Sequence, residues 1–233
     1  RTPAAPPSLP SWIVLGDPAG RPRGLQLADD PSIPRAEDKR PLTNDRGSPG
    51  RPDRGRPLAS KMEMKIVHII TRLILGGAQE NTLLTVEGLH HRWGDEVVLI
   101  TGPAEGPEGD LFERARRQGL AVELMPELTR PIRPLVDASA YGKLRKALRR
   151  LRPEVVHTHS SKAGILGRAA AWDERVPAVV HTIHGLPFGP FETRARNAVY
   201  IALERWAARR CHAIVSVCDA MTEQALAAGV GHP

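Results

Sequence analysis

The chain predicts an α/β fold: a Rossmann-like, doubly wound parallel sheet preceded by a disordered segment. Three observations carry that prediction. From Met64 onward, short apolar β-branched runs alternate with helical periods, the pattern of a parallel sheet covered on both faces. No internal repeat or heptad array interrupts the series. Three loops that follow strands carry Gly-Gly, His-Ser-Ser-Lys and His-Gly sequences, and in such sheets ligands collect outside the carboxyl ends of the strands.

The first strand is expected at Lys65–Ile70, running through a glycine pair into a helix over Ala78–His91. Strands follow at Glu96–Thr101 and Ala121–Met125, with a helix over Gly109–Gln118 between them. The stretch Met125–Pro134 holds three prolines and reads as a connection. Beyond it a helix is expected over Asp137–Leu151. Val155–His159 then leads into a helix over Lys162–Trp172, Ala178–Ile183 into Phe191–Arg210, and Ala213–Val217 into Asp219–Ala228.

Composition sets the outer limits. Of 22 prolines, 12 fall in the first 60 of 233 residues, where Pro, Arg, Asp and Gly leave too little apolar surface to offset chain entropy. Residues 1–61 are therefore expected to be disordered, and the methionines at 62 and 64 mark them as a segment that need not be native. Residues 62–233 are expected to form one domain. Ser11–Leu15 is too short for a signal-peptide core, and no apolar run reaches the roughly 20 residues that span a bilayer. These features predict a cytoplasmic protein, with Cys211 and Cys218 as reduced thiols.

Net charge is +7, densest at Lys143–Arg152, where six cations surround a stripe of Leu144, Leu148 and Leu151. That helix reads either as a solvated face packed on its leucines or as a peripheral contact with the inner face of the plasma membrane. Aromatic residues make up 4%, too few for the stacking platform of a single-strand binder, so no nucleic-acid partner is expected.

Gly76 and Gly77 stand where the first strand passes into its helix. Glycines there let backbone N–H groups approach an anion, and the helix N-terminus adds about half a positive charge. The pair is either a plain turn or a diphosphate cradle, and it matches neither the dinucleotide nor the P-loop fingerprint. His157 and His159 share one face of their strand. They either line a polar cleft or, with His181 or His184, bind zinc; the cleft reading is taken, with no metal. Ser160 and Ser161 are good caps. Lys162 opposes the helix dipole, which makes sense if an anion is held there. Gly164, Gly167, Ala170 and Ala171 form a small face for close packing on the sheet. His184, on the Gly185 turn, can orient or deprotonate a hydroxyl near neutrality.

Taken in order, Lys65–Ile70, Gly76–Asn81, His157–Arg168, His181–Gly185 and Leu203–Arg209 resemble the amino-terminal domain of the family 4 glycosyltransferases of the GT-B fold, especially bacterial enzymes of cell-surface polysaccharide synthesis. The resemblance implies a retaining hexosyltransferase that moves a sugar from a nucleotide-diphosphate-sugar to a hydroxyl of a glycan or lipid-linked acceptor, without metal or cofactor. It implies that Gly76 and Gly77 lie near the donor phosphates and His184 near the transferred sugar. Asn81, His157, His159, Ser160, Lys162 and Gly185 then line the acceptor side of the cleft. The family keeps its basic pair and Glu-x7-Glu motif in a carboxy-terminal domain, expected after Pro233, so the chain alone is expected to be inactive. A sugar- or nucleotide-binding module and one half of a sugar-nucleotide epimerase are the alternatives.

Overall fold

The computed structural model describes residues 12–14, 63–104 and 107–232. Six parallel strands form the expected sheet: β2 (Lys65–Ile70), β3 (Glu96–Thr101), β4 (Ala121–Leu124), β5 (Val155–His159), β6 (Ala178–Ile183) and β7 (Ala213–Ser216). A further strand, β1 (Trp12–Val14), pairs antiparallel with β7 through Ile13 opposite Ile214. The sequence assigns those three residues to a disordered segment; they differ by adopting the extended pairing of a short β-branched run beside an edge strand. The rest of the expectation for 1–61 lies outside the described residues.

The order β1-β7-β6-β5-β2-β3-β4 sends the chain outward from β2 through β3 to β4, then back to the other side of β2 at β5. The switch point therefore lies between β2 and β5, where Val67 pairs with Val156 and His68 with His157.

Among the described residues six α-helices cover the sheet: α1 (Gly77–Glu87), α2 (Phe112–Arg117), α3 (Pro134–Leu151), α4 (Ser161–Asp173), α5 (Arg194–Ala208) and α6 (Asp219–Ala227). The strands alternate between two cores. Val67, Ile69, Val156 and Val179 pack with Leu144, Leu148 and Ala170 on one face. Ile66, Ile70, Val97 and Leu99 pack with Leu83, Val86 and Leu111 on the other. Both faces of β2 and β3 are thus buried, which is why those strands read as nearly continuous apolar runs.

Helix ends depart from expectation at several points: α2 begins at Phe112 and not Gly109, and α3 at Pro134 and not Asp137, where the proline stands in the first turn. The helix after β2 continues from α1 into a π-helical turn over Gly88–Trp93 and stops at Gly94, whose φ of 72° is a left-handed cap. The helix after β6 begins at Arg194, not Phe191: Thr193 caps it by accepting from the Arg196 N–H at 3.3 Å, and Phe191 is fully exposed.

The basic stripe on α3 is largely neutralised within the fold. Arg145 and Arg149 both bind Glu174, at 2.5 and 2.6 Å, while Lys143 binds Glu127 and Arg150 binds Glu123, each at 2.5 Å. Leu144 and Leu148 are buried beneath it. No helix among the described residues is long and apolar enough to cross a membrane. Both cysteines are free; burial pushes the Cys211 thiol up to about 11, an inert state, whereas Cys218 is exposed.

The small face of α4 allows close approach to the sheet. A Cβ on Gly164 would fall 2.5 Å from the His181 ring, and one on Gly167 2.8 Å from the Thr158 methyl. Gly164→Ala is expected to destabilise the fold by about 1–3 kcal/mol, read as a lower urea midpoint at unchanged slope; an unchanged midpoint would show that the ring gives way freely.

Candidate functional site

The ends of β2, β5 and β6 converge beside the switch point, and a chain of imidazoles occupies the convergence. His68 extends from β2 and is completely buried; its Nδ1 lies 3.0 Å from Nε2 of His159 on β5, itself 1% exposed. The other ring nitrogen of His159, Nδ1, lies 3.1 Å from Nε2 of His184, just past β6. His184 is half-buried and carries the chain outward to the loop surface. His157 shares the His159 face, as alternation along a strand requires, with ring centroids 4.3 Å apart. Its Nε2 is held 2.7 Å from the Thr182 hydroxyl.

Burial keeps these rings neutral. It holds His68 well below the usual histidine range, aided by His157. His159 is lowered in the same way, with His157 and His68 adding to the effect. Burial and His184 push His157 down to about 4, and burial lowers His184 as well. Four close imidazoles cannot all carry charge in a dry site, so each stays a one-donor, one-acceptor group.

The ring nitrogens of His68, His157 and His159 lie within 4.8 Å of one another. A zinc reading of the sequence pairs His157 and His159 with His181 or His184, but His181 points to the opposite face, where its Nδ1 meets Thr158 Oγ1 at 2.9 Å. His68 fills the third place instead. Both nitrogens of His159 already make hydrogen bonds, and the group includes no carboxylate or thiolate to balance a divalent charge.

Backbone ends complete the site. Ser160 stands at the α4 N-cap position with φ 61° and ψ 158°, a conformation costing on the order of 1–3 kcal/mol for a residue with a Cβ. Its hydroxyl does not cap the helix as the sequence suggests; it meets Thr71 Oγ1 at 2.8 Å, and Thr71 in turn accepts from the Ala163 N–H. The loops after β2 and β5 are thereby joined. Gly185, Pro187 and Glu204 line a small cavity together with Ser160 and His184. Asn197 of α5 braces the loop beyond, accepting from Gly189 N–H at 2.9 Å and donating to its carbonyl at 2.8 Å. A wider groove of about 730 Å³ lies at the β4 edge among Glu123, Glu127, Lys143, Lys146 and Arg150, where Lys143 pairs with Glu127 and Arg150 with Glu123, and it holds none of the histidines.

The remaining expected residues fall around this centre. Gly76 and Gly77 open α1 beyond β2, with Gly77 exposed and nothing within 4 Å of where its Cβ would stand. Asn81 lies one turn on, also exposed. Lys162 is engaged elsewhere: it pairs with Asp137 and donates to the Pro131 carbonyl at 2.5 Å. Its place in the first turn of α4 is accounted for by that partner on α3.

Sequence reasoning passed over His68, Thr71, Arg168 and Glu204. Arg168 is completely buried, with Nη2 2.6 Å from Glu204 Oε2 and Nε 2.8 Å from the Gly164 carbonyl. A single cation within the small-residue run Ala163–Ala171, and a single histidine within Lys65–Ile70, were the signals available.

Residues 76–233, more than half of the chain, match the glycosyl transferase 4-like domain. The chain belongs to this family. Its parallel sheet and covering helices have the Rossmann-like α/β arrangement expected of a GT-B domain. The Escherichia coli UDP-Gal:alpha-D-GlcNAc-diphosphoundecaprenol alpha-1,3-galactosyltransferase is 35% identical over 147 residues, which is 63% of this chain and 36% of that protein. The chain therefore spans about a third of that relative's length. A Listeria monocytogenes protein assigned as a UDP-N-acetylglucosamine 2-epimerase has a similar fold, with 12% identity, a TM-score of 0.51, and coverage of 72% of this chain and 43% of that one.

Proposed function

We propose that this glycosyltransferase-family chain supplies the acceptor-side half of a retaining hexosyltransferase that uses a nucleotide-diphosphate-sugar. The observation that carries the reading is the meeting of the His184 loop, Ser160 and the β2 exit at the switch point of a family 4-like sheet. The identity to a UDP-galactose-dependent enzyme supports a uridine diphosphate donor and a polyprenyl-diphosphate-linked glycan as acceptor. Gly76 and Gly77 then present backbone N–H groups to the donor diphosphate, and His184 meets the transferred sugar together with the acceptor hydroxyl that attacks it.

In the reaction, the bond between the anomeric carbon and the diphosphate breaks. The acceptor oxygen bonds to that carbon on the same face, and its proton passes to the departing diphosphate oxygen. Stabilising the negative leaving group is electrostatic work that falls in this reading to a second, donor-binding domain. The chain alone binds acceptor and does not turn over. Peripheral membrane contact would use Lys146 and Arg152, since the other four cations of the α3 stripe are paired.

The test is titration of the 233-residue chain with a polyprenyl-diphosphate N-acetylglucosamine analogue, alongside UDP-galactose turnover. Binding is expected to weaken about tenfold in His184→Ala, equivalent to ~1.4 kcal/mol, with no transfer by the chain. Robust transfer by these residues alone would sink the half-enzyme reading. Conversion of UDP-N-acetylglucosamine to its epimer would favour the epimerase, the alternative suggested by the Listeria fold. Specific binding of free sugar or nucleotide, with no effect of His184→Ala on acceptor, would favour a binding module.

A further inference from the structure

We propose that His68, His159 and His184 form a one-directional hydrogen-bond relay that fixes His184 with its proton on Nδ1, so that it meets its ligand as a hydrogen-bond donor and not as a base. His68 and His159 are positioning residues in this arrangement. They touch no ligand themselves and act by deciding which nitrogen of His184 carries hydrogen. The inference deepens the reading above in naming the ligand group, a hydroxyl or phosphate oxygen of the sugar nucleotide, but the relay is a property of the chain alone.

Parity sets the direction of the relay. A neutral imidazole has one N–H and one lone pair, and the two contacts at 3.0 and 3.1 Å link the three rings in series. The series can run only two ways. If His184 donated inward, His159 would donate to His68, and His68 Nε2 would be left holding a hydrogen. If His68 donates outward from Nδ1 to His159 Nε2, then His159 donates from Nδ1 to His184 Nε2, and His184 is left with hydrogen on Nδ1, facing away from the relay. His68 Nε2 decides between them: it is buried without a hydrogen-bond partner. A buried N–H with no acceptor is among the rarest states in folded proteins, and leaving it unmade costs the donor's desolvation. The outward direction avoids that orphan donor, leaving a lone pair in its place.

The rings are locked in this order by their surroundings. His68 and His159 stack at 12° with centroids 5.2 Å apart, and His157, pinned to Thr182, closes the side of the stack. The depressed histidine values described above keep every member neutral at physiological pH, the condition on which the parity rests. His184 cannot accept the acceptor's proton at Nδ1, because that nitrogen is already protonated, so deprotonation falls to another oxygen, such as that of the departing diphosphate.

The test is the tautomeric state itself, read from long-range proton–nitrogen correlation spectra of the full chain labelled with nitrogen-15 at histidine, at neutral pH and without ligand. The expected result is a protonated, pyrrole-type Nδ1 and a pyridine-type Nε2 on His184, His159 and His68 alike. A protonated Nε2 on His184 would overturn the proposal. His68→Phe keeps a ring in the stack but removes the first donor, and is expected to turn His184 into a mixture of both tautomers; an unchanged His184 signal in a folded variant would also overturn it. One equivalent of zinc is expected to leave the three signals in place, whereas zinc-dependent shifts of His68, His157 and His159 together would replace the relay with a metal site. Because no substrate is present, these outcomes are independent of whether the sugar-transfer reading holds.

Discussion

Acidification from neutral pH to about pH 5 is expected to lower the fold's stability by about 2 kcal/mol or more, well before the carboxylates titrate. His68, His157, His159 and His181 are all held neutral by burial, with His157 at about 4 and the others lowered in the same direction. In the unfolded chain each returns to a value near 6.5. As pH falls below about 6.5, the unfolded state therefore binds protons that the native state refuses, and stability drops by about 1.4 kcal/mol per pH unit for each such group. At about pH 5 the loss is about 2 kcal/mol for His157, whose value is about 4, and the three histidines lowered in the same direction add to it, against a total domain stability of about 5–15 kcal/mol. Glu127 and Glu174 have lowered values from their bonds to Lys143 and Arg149, so their contribution is lost only at lower pH. Urea unfolding at neutral pH and at about pH 6 and 5 checks this directly. A stability that stays flat across the window would mean the rings accept protons in place, and His68→Phe is expected to reduce the slope by about one proton.

Arg168→Met is expected to cost about 3–5 kcal/mol, because it leaves the buried Glu204 carboxyl group with its ion-pair partner removed. Arg168 is completely buried and Glu204 is 4% exposed, and their 2.6 Å contact ties α4 to α5 beneath the site. Glu204→Leu is expected to be as damaging, since the guanidinium already carries one nitrogen, Nη1, without a partner and would lose its counter-charge. The double change Arg168→Met with Glu204→Leu is expected to recover most of the loss, because replacing both charges by apolar groups removes the desolvation penalty. Glu204 also lines the cavity beside His184, so the pair supports the floor of the site as well as the helix contact. Denaturant midpoints for the two singles and the double complete the cycle. Singles within about 1 kcal/mol of the native protein would show that water reaches the pair.

The contrast between strand and site shows what each level of description holds. The strand limits at Lys65–Ile70, Glu96–Thr101, Val155–His159 and Ala178–Ile183 were legible because burial on both faces leaves continuous apolar runs between polar boundaries. The Gly-Gly, His-Ser-Ser-Lys and His-Gly loops were legible because strand alternation with helices places them at one edge of the sheet. Lys162 was misleading for a local reason: its partner Asp137 lies on another helix, and helix-dipole reasoning cannot see across elements. The helix after β6 starts three residues later than expected for the opposite reason, a Thr193 cap that only its own backbone geometry reveals.

The amino-acid sequence by itself determined the parallel α/β sheet, the order of its elements, the family and the loops that face the site, because each depends on patterns within a few residues of chain. Only the tertiary structure decided that the chain turns back beside β2 at β5, that His68 and not His181 joins His159, and that Arg168 meets Glu204. Those pairings link residues 91 and 36 positions apart. Their energies come from desolvation and from lone pairs and hydrogens that must find each other in a dry interior, a matching that no local period records.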